Sequence, residues 1–357
     1  MKKKLIRFTK GILLLASLPI LYITGVLTFA YVTDYQPIGL EPLAIQGKGE
    51  LLKDTTSLHV LTWNIGYCGL GKESDFFYDG GKTVHSKKEW VEKNLKGVVS
   101  TLNTLKDSLD FALLQEIDTY SARSWDSSQI GTVARLFPQY ATTFGKNYDV
   151  KFVPVPYTEP MGHVQSGIFT LSRLTPTKAQ RYQLNAFPHF PDYLFYLDRC
   201  FTTHTIPLKN GKQLTLINTH NSAYDPKGEM KKIELEQIKV VLLEAAKNGN
   251  YVIMGGDWNQ YPPNFKGIKG FEPKHNNPAN WVTENYPEAG WKWAYQTEIP
   301  TNRSNLTPFH PDSSYQTVID YFLVSPNVEV SYTKGIDLGF DYSDHQPVLM
   351  KVKLLNN

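Results

Sequence analysis

Cysteine is almost absent from this sequence, which has only Cys68 and Cys200 among its 357 residues. Two thiols so far apart fit neither the spacing of a zinc site nor a dense disulfide framework. They pair only if the protein is exported, and otherwise they are two buried free thiols; the sequence leaves both readings open. Internal repeats and low-complexity tracts are missing as well, which favours one folded domain.

An excess of charge is also missing. The net charge of +3 arises in the first ten residues, which hold five basic side chains and no acid. The remaining residues carry 32 basic and 34 acidic side chains, a net charge of −2. Proteins that bind nucleic acid by themselves usually have a basic surface. The bulk composition therefore argues against a nucleic-acid-binding protein, although an average can hide a local patch.

One long apolar run stands out, the 23 uncharged residues 11–33. A helix of that length covers the hydrocarbon core of a bilayer, and the basic residues before it are expected to stay in the cytoplasm. We therefore predict a cytoplasmic tail (1–10), a transmembrane signal anchor (11–33), a linker (34–56) and a catalytic domain (57–357) on the exported side of the cell membrane. A cleaved signal peptide is the alternative.

Beyond this run, strand-like and helix-like segments alternate. Apolar residues recur at helical spacing over residues 87–106, 129–137 and 227–247, with strand-like runs between them. The alternation predicts an α/β domain with two packed sheets and helices outside. In the last helix the expected buried residues are Met230, Ile233, Val241, Leu242 and Ala245. Residues 261–315 are too long for an ordinary connection, so we expect them to be functional or partly structured.

Six short polar motifs accompany the strand-like runs. They are LTWN (61–64), LLQE (113–116), INTH (217–220), GGDWN (255–259), VIDYF (318–322) and SDHQPV (343–348). Each is expected to place Asn, Glu, His or Asp where a strand stops. Side chains at the ends of neighbouring strands meet at one edge of a sheet, which is where ligands bind in α/β proteins. The six motifs together therefore predict one site.

The residue types indicate the chemistry of that site. Carboxylate and amide oxygens suit Mg²⁺, Mn²⁺ or Ca²⁺, and no pair of histidines at helical spacing offers a zinc site. His220 and His345 are the two histidines inside the motifs, where an imidazole can contact phosphate or transfer a proton. No motif for a serine or cysteine nucleophile accompanies them. The set therefore favours hydrolysis of a phosphoester by an activated water.

The combination of GDWN with SDHQPV resembles the endonuclease/exonuclease/phosphatase superfamily, and the resemblance covers about residues 57–353. It implies a four-layered α/β/β/α sandwich of the deoxyribonuclease I type. It also implies a phosphodiesterase or phosphomonoesterase that depends on Mg²⁺, with Mn²⁺ as the second choice.

The same resemblance implies a metal side of the site. Glu116 is similar to the principal metal ligand of the family, with Asn64 beside it and Asp344 as a further acid on the metal side. Some nucleases of the family carry an acid two residues after the motif asparagine. Here that position is Gly66, so the number of metal ions, one or two, stays open.

The remaining motif residues resemble the groups that handle phosphate and water. His220 and Asn259 are implied to bind phosphate, and Asp257 to orient or deprotonate the attacking water. Asp320 is implied to orient His345, which transfers a proton. Whether Asp257 or His345 takes the proton of water is left open by the motifs.

The substrate is indicated only from outside the motifs. The predicted anchor and the charge of −2 favour a phospholipid or another lipid-linked head group, and nucleic acid is the alternative. A catalytically inactive receptor on the same fold is a third hypothesis, and no protein partner is implied. Asn302 and Asn305 begin glycosylation sequons, which matter only if the source glycosylates exported proteins.

Overall fold

The computed structural model describes residues 2–50, 57–225, 227–274 and 277–355. Within these residues the chain forms four α-helices, which are α1 (Lys2–Thr33), α2 (Lys88–Leu105), α3 (Gln129–Leu136) and α4 (Glu229–Ala245). The helices predicted over residues 87–106, 129–137 and 227–247 are α2, α3 and α4, with slightly different ends.

The described residues also form fifteen strands: β1 (Leu40–Pro42), β2 (Ser57–Asn64), β3 (Phe111–Asp118), β4 (Ala141–Val153), β5 (Gly162–Ser172), β6 (Lys178–Gln183), β7 (Cys200–Pro207), β8 (Gln213–His220), β9 (Tyr251–Asp257), β10 (Lys292–Ala294), β11 (Asn302–Arg303), β12 (Gln316–Thr317), β13 (Asp320–Val324), β14 (Val328–Gly335) and β15 (Val348–Leu354). They build a seven-stranded sheet in the order β1-β6-β7-β8-β9-β13-β10 and a six-stranded sheet in the order β14-β15-β2-β3-β5-β4. Strands β11 and β12 form a separate two-stranded sheet.

The two large sheets pack face to face. One core cluster contains Val60 and Leu113 from the six-stranded sheet together with Leu216 and Ile253 from the seven-stranded sheet, all fully buried. A second cluster packs α2 and α3 onto the outer face of the six-stranded sheet, and a third packs α4 onto the outer face of the other. The four-layered α/β/β/α sandwich is therefore confirmed, as each layer hides its apolar face against the next.

The sheet topology explains why the motifs converge. Each large sheet has one parallel pair, β2 with β3 and β8 with β9, whose carboxyl ends carry Asn64, Glu116, His220 and Asp257. The next strands, β15 and β13, run antiparallel to β2 and β9. Their amino ends therefore lie at the same edges as the carboxyl ends of the parallel pairs, and Asp320 stands directly opposite Asp257.

This arrangement corrects the expectation that all six motifs stand where a strand stops. Asp320 is the first residue of β13, and Asp344 and His345 precede β15. The apolar residues after them form the strand, so the polar group marks where it begins. These residues still reach the site. A strand that runs antiparallel to its neighbour has its amino end at the edge where the neighbour has its carboxyl end.

The buried face of α4 also differs from the prediction. Ile233 is exposed, whereas Lys231 and Glu234 are buried together with Ile238 and Leu242. Glu234 accepts hydrogen bonds from the backbone and the hydroxyl of Ser222, just after β8. A pattern based on apolar residues alone could not find a helix face that uses a charged side chain to hold a loop.

The segment predicted to be a linker contacts the domain in its described part. Strand β1 pairs with β6, and Gln46 and Glu50 form single bridges to Thr142 and Leu174. Residues 51–56 lie outside the described residues. The domain boundaries remain predictions.

Cys68 and Cys200 are both buried and free, so the reading as two unpaired thiols describes this structure.

In α1, residues Phe8–Thr33 are apolar and long enough to cross a membrane. A signal sequence near the N-terminus has the same properties, so the anchor and its orientation remain predictions.

A buried histidine joins the two large sheets and generates a prediction about stability. His204 on β7 accepts a hydrogen bond from the Thr143 hydroxyl on β4 at 2.6 Å, and its Nδ1 lies 3.3 Å from the carbonyl oxygen of Leu216. Burial lowers the pKa of His204 to about 4. Between about pH 6.5 and 4 the unfolded chain therefore binds a proton that the folded protein excludes.

We expect His204 to make the free energy of unfolding fall by roughly 1.4 kcal/mol per pH unit over that window as the pH is lowered. Urea unfolding of the full chain in micelles, compared with His204→Gln, measures this contribution as the difference between the two slopes. Thr143→Val is the matched control, since it removes the hydrogen bond but keeps the titrating group. An unchanged slope in His204→Gln would show that His204 is not the group responsible.

Candidate active site

The predicted site residues lie around one cavity. Glu116, His220, Asp257, Asn259, Asp344 and His345 line its wall. Asn64 and Asp320 stand behind this wall, where each forms hydrogen bonds with one or two of the lining residues. Residues from both sheets thus share one site, although they are separated by up to 281 positions in the sequence, from Asn64 to His345.

Asn64 bridges two carboxylates. Its Nδ2 donates to Oε1 of Glu116 at 3.1 Å and to Oδ2 of Asp257 at 3.0 Å, and its Oδ1 accepts from the backbone N–H of Gly66. The Gly66 donor fixes which end of the amide faces the carboxylates. The amide therefore separates two like charges. A bond from Asn64 to a metal, which stays a prediction, has only the second lone pair of Oδ1 to use.

The backbone is strained where Glu116 enters the cavity. Glu116 has a φ of 50°, and the pairing of β3 with β5 shifts register between Leu114 and Ile117. A bulge of this kind turns a side chain away from its regular direction and costs free energy that surrounding contacts must supply. Burial first, and then the charge of Asp344, raise the pKa of Glu116 although Arg123 and Asn64 lower it.

His345 lies between two carboxylates. Its Nδ1 is 2.8 Å from Oδ2 of Asp320, and its Nε2 is 3.8 Å from Oδ2 of Asp257. Burial works to lower the pKa of His345, but the charges of Asp320, Asp257 and Asp344 outweigh it and raise the pKa well above its usual value. The imidazolium therefore neutralises part of this carboxylate cluster.

Asp257 keeps an unusually high pKa for an aspartate. Burial raises it to about 6, the His345 charge lowers it, and Asp320 raises it again. Its Oδ1 accepts from the backbone N–H of Asn259 at 3.0 Å, in a turn where Asn259 adopts a φ of 50°. Asparagine tolerates this left-handed conformation better than most residues, which suits the last position of GGDWN.

His220 is neutral, because burial and the nearby charges of Arg199 and His345 lower its pKa well below the usual value. Its Nε2 lies 3.4 Å from Oδ2 of Asp257 and 3.8 Å from Oε1 of Glu116. A neutral imidazole with its proton on Nε2 can donate into the cavity between these carboxylates.

Asp344 occupies the space that a side chain at position 66 would need. A Cβ built on Gly66, which has a φ of 49°, would stand 2.7 Å from Oδ1 of Asp344. The acid missing after Asn64 is thus matched by an aspartate that approaches from the opposite side. Asn305 donates from Nδ2 to Asp344 at 2.7 Å and to Asp79 at 3.2 Å, so a second amide separates a second pair of carboxylates.

Two groups of side chains are candidates to hold a cation. Asp257, Asp320 and His345 offer ligand atoms within 4.8 Å of one another, but the imidazole of His345 already joins these carboxylates. Glu116 and Asp344 line the cavity as oxygen donors, and no cationic side chain forms an ion pair with either of them within the described residues. Oxygen ligands of this kind fit Mg²⁺ or Mn²⁺. A bound cation would offset the desolvation and the repulsion by Asp344 that raise the pKa of Glu116.

Several cavity residues were not predicted from their motifs. Asn302 lies 3.0 Å from Nε2 of His345, and Asn305 contacts Asp344. Their sequons had indicated surface acceptors for glycans, yet Asn305 is 4% exposed. Asp79 follows an aromatic run without any recognisable signal. Asn302 lies on the two-residue strand β11 and Asn305 just after it, within residues 261–315, whose length alone hinted at a function.

Arg173 and Arg199 flank strands β5 and β7, and Arg199 is the one at the site. It is 3% exposed, and its Nε and Nη1 have no hydrogen-bond partner within the described residues. It lines the cavity together with Arg123, which is held by Asp118 through two hydrogen bonds. Arg173 instead binds the carbonyl groups of Lys106 and Asp107 and does not line the cavity.

The sequence profile of the Endonuclease/Exonuclease/phosphatase family matches residues 61–345, from the first polar motif to the last. The chain belongs to this family. Members of the family are hydrolases that act on phosphoesters. No curated protein sequence matches the chain.

Solved structures support the fold. An endonuclease/exonuclease/phosphatase from Beutenbergia cavernae aligns with a TM-score of 0.58 at 17% identity, over 85% of this chain and 72% of that one. The catalytic domain of human nocturnin with bound sulfate aligns with a TM-score of 0.52 at 17% identity, over 87% and 97%. TDP2 from D. rerio, complexed with a single-strand DNA product, aligns at 0.52 and 12% identity, over 84% and 100%. At these identities the likeness shows the fold alone.

The bridging position of Asn64 yields a prediction. If its amide hydrogens separate Glu116 from Asp257, Asn64→Asp replaces a shared donor with a third negative charge. We expect phosphodiester turnover to fall by about 10² or more, because positions and charges of both carboxylates change. The steady-state rate and the calorimetric affinity for Mg²⁺ measure the effect.

Asn64→Ser, which shortens the side chain without adding charge, is the control for local disturbance. The opposite result would be tighter Mg²⁺ binding with retained turnover in Asn64→Asp. It would mean that the residue at position 64 serves the metal alone and that no bridge between Glu116 and Asp257 is needed.

Proposed function

We propose that this protein is a metal-dependent phosphoester hydrolase that is anchored in the cell membrane and acts on the exported side. The observation that carries the proposal is the cluster of buried carboxylates, amides and imidazoles around one cavity, on a chain of the phosphoesterase family. A phospholipid or lipid-linked head group is the proposed substrate, and the proposed reaction is attack by an activated water.

Glu116 and Asp344 are proposed to hold the metal ion, Mg²⁺ or Mn²⁺, with the oxygen of Asn64 as a further ligand. The fit rests on oxygen donors that line the cavity and on the raised pKa of Glu116. When bound there, a divalent cation would stabilise the negative charge that develops on the phosphoryl oxygens. One ion is the number proposed, since Gly66 supplies no additional ligand.

Asp257 is proposed to take the proton from the attacking water. His345 is flanked by Asp320 and Asp257, which favour its imidazolium form, and an imidazolium has no lone pair to accept a proton. Its Nε2 proton is then the one that can be given to the leaving oxygen. That form requires Asn302 to turn its amide oxygen toward Nε2, 3.0 Å from its amide group.

The phosphoryl group is proposed to lie among Asn259, His220 and Arg199. All three line the cavity, and the unpaired nitrogens of Arg199 supply a buried positive charge that lacks a partner within the described residues. Guanidinium nitrogens bind phosphate oxygens in a planar, often bidentate geometry. This would fix the phosphorus near Asp257 before the reaction.

The lipid substrate rests on the predicted anchor and on the charge of the rest of the chain. Without its first ten residues the chain has a net charge of −2, whereas binding of nucleic acid draws most of its affinity from contacts of Lys and Arg with phosphates. Faster release of nucleotides from DNA or RNA than of head groups from phospholipid vesicles, at ordinary salt, would decide for the nuclease alternative.

The proposed roles predict a specific pattern of non-additivity. Asp257→Asn and His345→Ala should each lower kcat by about 10²–10⁴, the range of general acid–base catalysis. Asp320 acts mainly through His345, so the double variant Asp320→Asn/His345→Ala should be about as slow as His345→Ala alone. EDTA should abolish turnover, and Glu116→Gln should raise the Mg²⁺ concentration required.

The rates are measured with the full chain in micelles on bis(p-nitrophenyl) phosphate, phospholipid vesicles and nucleic acids, with Mg²⁺, Mn²⁺ or EDTA. Circular dichroism of each variant controls for folding. A double variant slowed by the product of the two single effects would contradict the role of Asp320. A wild-type protein without turnover on any phosphoester would favour the inactive receptor.

A further inference from the structure

The cavity extends from the carboxylate cluster to the apolar helix α1. It has a volume of about 1000 Å³, and its lining includes Glu116 and Asp257 at one end and four residues of α1 at the other, which are Tyr22, Ile23, Val26 and Leu27. These four side chains lie within one turn and a half, on one face of the helix. A segment expected to do no more than anchor the protein therefore forms part of the wall of its active-site cavity.

The wall beside α1 is apolar as well. Pro154, Val155 and Met161 come from the loop between β4 and β5, and Phe195 and Leu197 from the segment before β7. Val155, Phe195 and Leu197 pack against a small core cluster centred on Tyr148 and Val153. The cavity thus has a polar end with charged groups and an apolar end, which is the distribution of polarity in a lipid molecule.

Specific contacts hold α1 in this position. The helix packs against β4 and against the 3₁₀ turn Asp192–Phe195, and Ala30 is buried in the contact. Just after the helix, the Lys146 ammonium group lies 3.7 Å from the centre of the Tyr35 ring. A cation over an aromatic ring at this distance is attractive. The end of α1 is therefore fixed to the domain.

The position of the lining residues along α1 matches the depth of lipid chains. Leu27 and Tyr22 precede Thr33, the last residue of the apolar stretch, by roughly 9 and 16 Å along a helix. The hydrocarbon core of a bilayer is about 30 Å thick, so these residues would face the acyl chains of the leaflet nearest the domain. The loops beside α1 must then enter the leaflet as well, and they carry Tyr157 and Phe190, which are 75% and 63% exposed.

We propose that this cavity binds a phospholipid taken directly from the bilayer, with its acyl chains between α1 and the loops beside it and its phosphoester at the carboxylate cluster. The inference rests on the proposed hydrolase function. In this arrangement α1 is a positioning element for the substrate as well as an anchor. The Arg199 guanidinium binds the phosphate of the head group in the same cavity. Its Nε and Nη1 are buried and have no hydrogen-bond partner within the described residues.

The first test varies the length of the acyl chains. The full chain in micelles is given short-chain diacyl phospholipids below their critical micelle concentration, which share one head group and differ stepwise in chain length, with bis(p-nitrophenyl) phosphate as the soluble reference. For each methylene group that passes from water into the cavity, we expect KM, expressed as the free concentration in water, to fall about threefold to fourfold. A KM that does not depend on chain length below the length that fills the cavity would overturn the proposal.

The second test alters the two faces of α1. Ile23→Trp adds bulk to the cavity face, and Leu21→Trp adds the same bulk to the opposite face, where Leu21 is 64% exposed. We expect the ratio of kcat/KM for the long-chain lipid to that for the soluble diester to fall about tenfold in Ile23→Trp and to stay unchanged in Leu21→Trp. Equal ratios in the two variants would show that α1 only anchors the protein.

The third test does not depend on hydrolysis. The wild-type chain is placed in phosphatidylcholine vesicles that contain a phosphatidylcholine with a photoreactive group on its acyl chain, in the presence of EDTA. We expect labels on residues 154–161 and 191–197 as well as on residues 22–27, and labels confined to α1 would overturn the proposal. Labelling at the cavity without turnover of any phosphoester would instead contradict the proposed function and leave the lipid site standing.

Discussion

Carboxylates that lie within a few ångströms of one another, buried or half-buried in one cavity, repel each other, and the rest of this site is arranged around that repulsion. Burial raises the pKa of Glu116, Asp257 and Asp320, and it also raises that of Asp79, which shares a donor with Asp344. A donor stands between the members of each close pair. Asn64 joins Glu116 to Asp257, His345 joins Asp257 to Asp320, and Asn305 joins Asp79 to Asp344.

These donors do not balance the charge. Asparagine amides are neutral, His220 is uncharged and Arg123 is held by Asp118, which leaves the His345 imidazolium, Arg199 and Arg303 facing five carboxylates. Buried charges without compensation cost several kcal/mol each, so a site of this composition binds a cation or protonates. The same imbalance suits catalysis, because fixed charges in a site with little water act strongly on a phosphoryl group. In the proposed function, metal binding and reactivity are thus two consequences of one constraint.

The fold is what allows such a cluster to form. The two sheets face each other, and each contributes the carboxyl ends of its parallel pair and the amino end of an antiparallel neighbour to the same edge. The site also requires the backbones of β8 and β9 to lie very close together. At Gly256, directly before Asp257, the φ is 152°, and a Cβ would stand 2.0 Å from the carbonyl oxygen of Thr219. Only glycine permits β8 and β9 to place His220 and Asp257 side by side here.

The sequence predicted those parts of the molecule that have a local signal. Helices α2, α3 and α4 and most central strands follow from apolar periodicity, and the reactive residues follow from the motifs. Strand β14 escaped notice because it is an edge strand with few buried residues. The prediction for the buried face of α4 was right for Leu242 and wrong for Ile233. It missed Lys231 and Glu234, because these charged residues serve loops near the site. Asn302, Asn305 and Asp79 could not be predicted, since long loops bring them to the cavity and no pattern records where such loops end.

The role of α1 illustrates the same limit. Its composition indicates a membrane span, but only the packing of its last turns against β4 reveals that Tyr22 and Leu27 reach the cavity that holds the reactive groups. Sequence patterns describe which solvent a helix prefers. They do not describe which other part of the chain lies beside it.

The central claim is that the uncompensated carboxylates Glu116 and Asp344 bind a divalent cation. An experimental structure of the full chain with Mn²⁺, in which the anomalous signal locates the ion, tests it most directly. The account predicts one ion about 2.0–2.3 Å from a carboxylate oxygen of Glu116, with Asp344 on the same side. An ion held by Asp257, Asp320 and His345, or no ion at saturating Mn²⁺, would contradict the account.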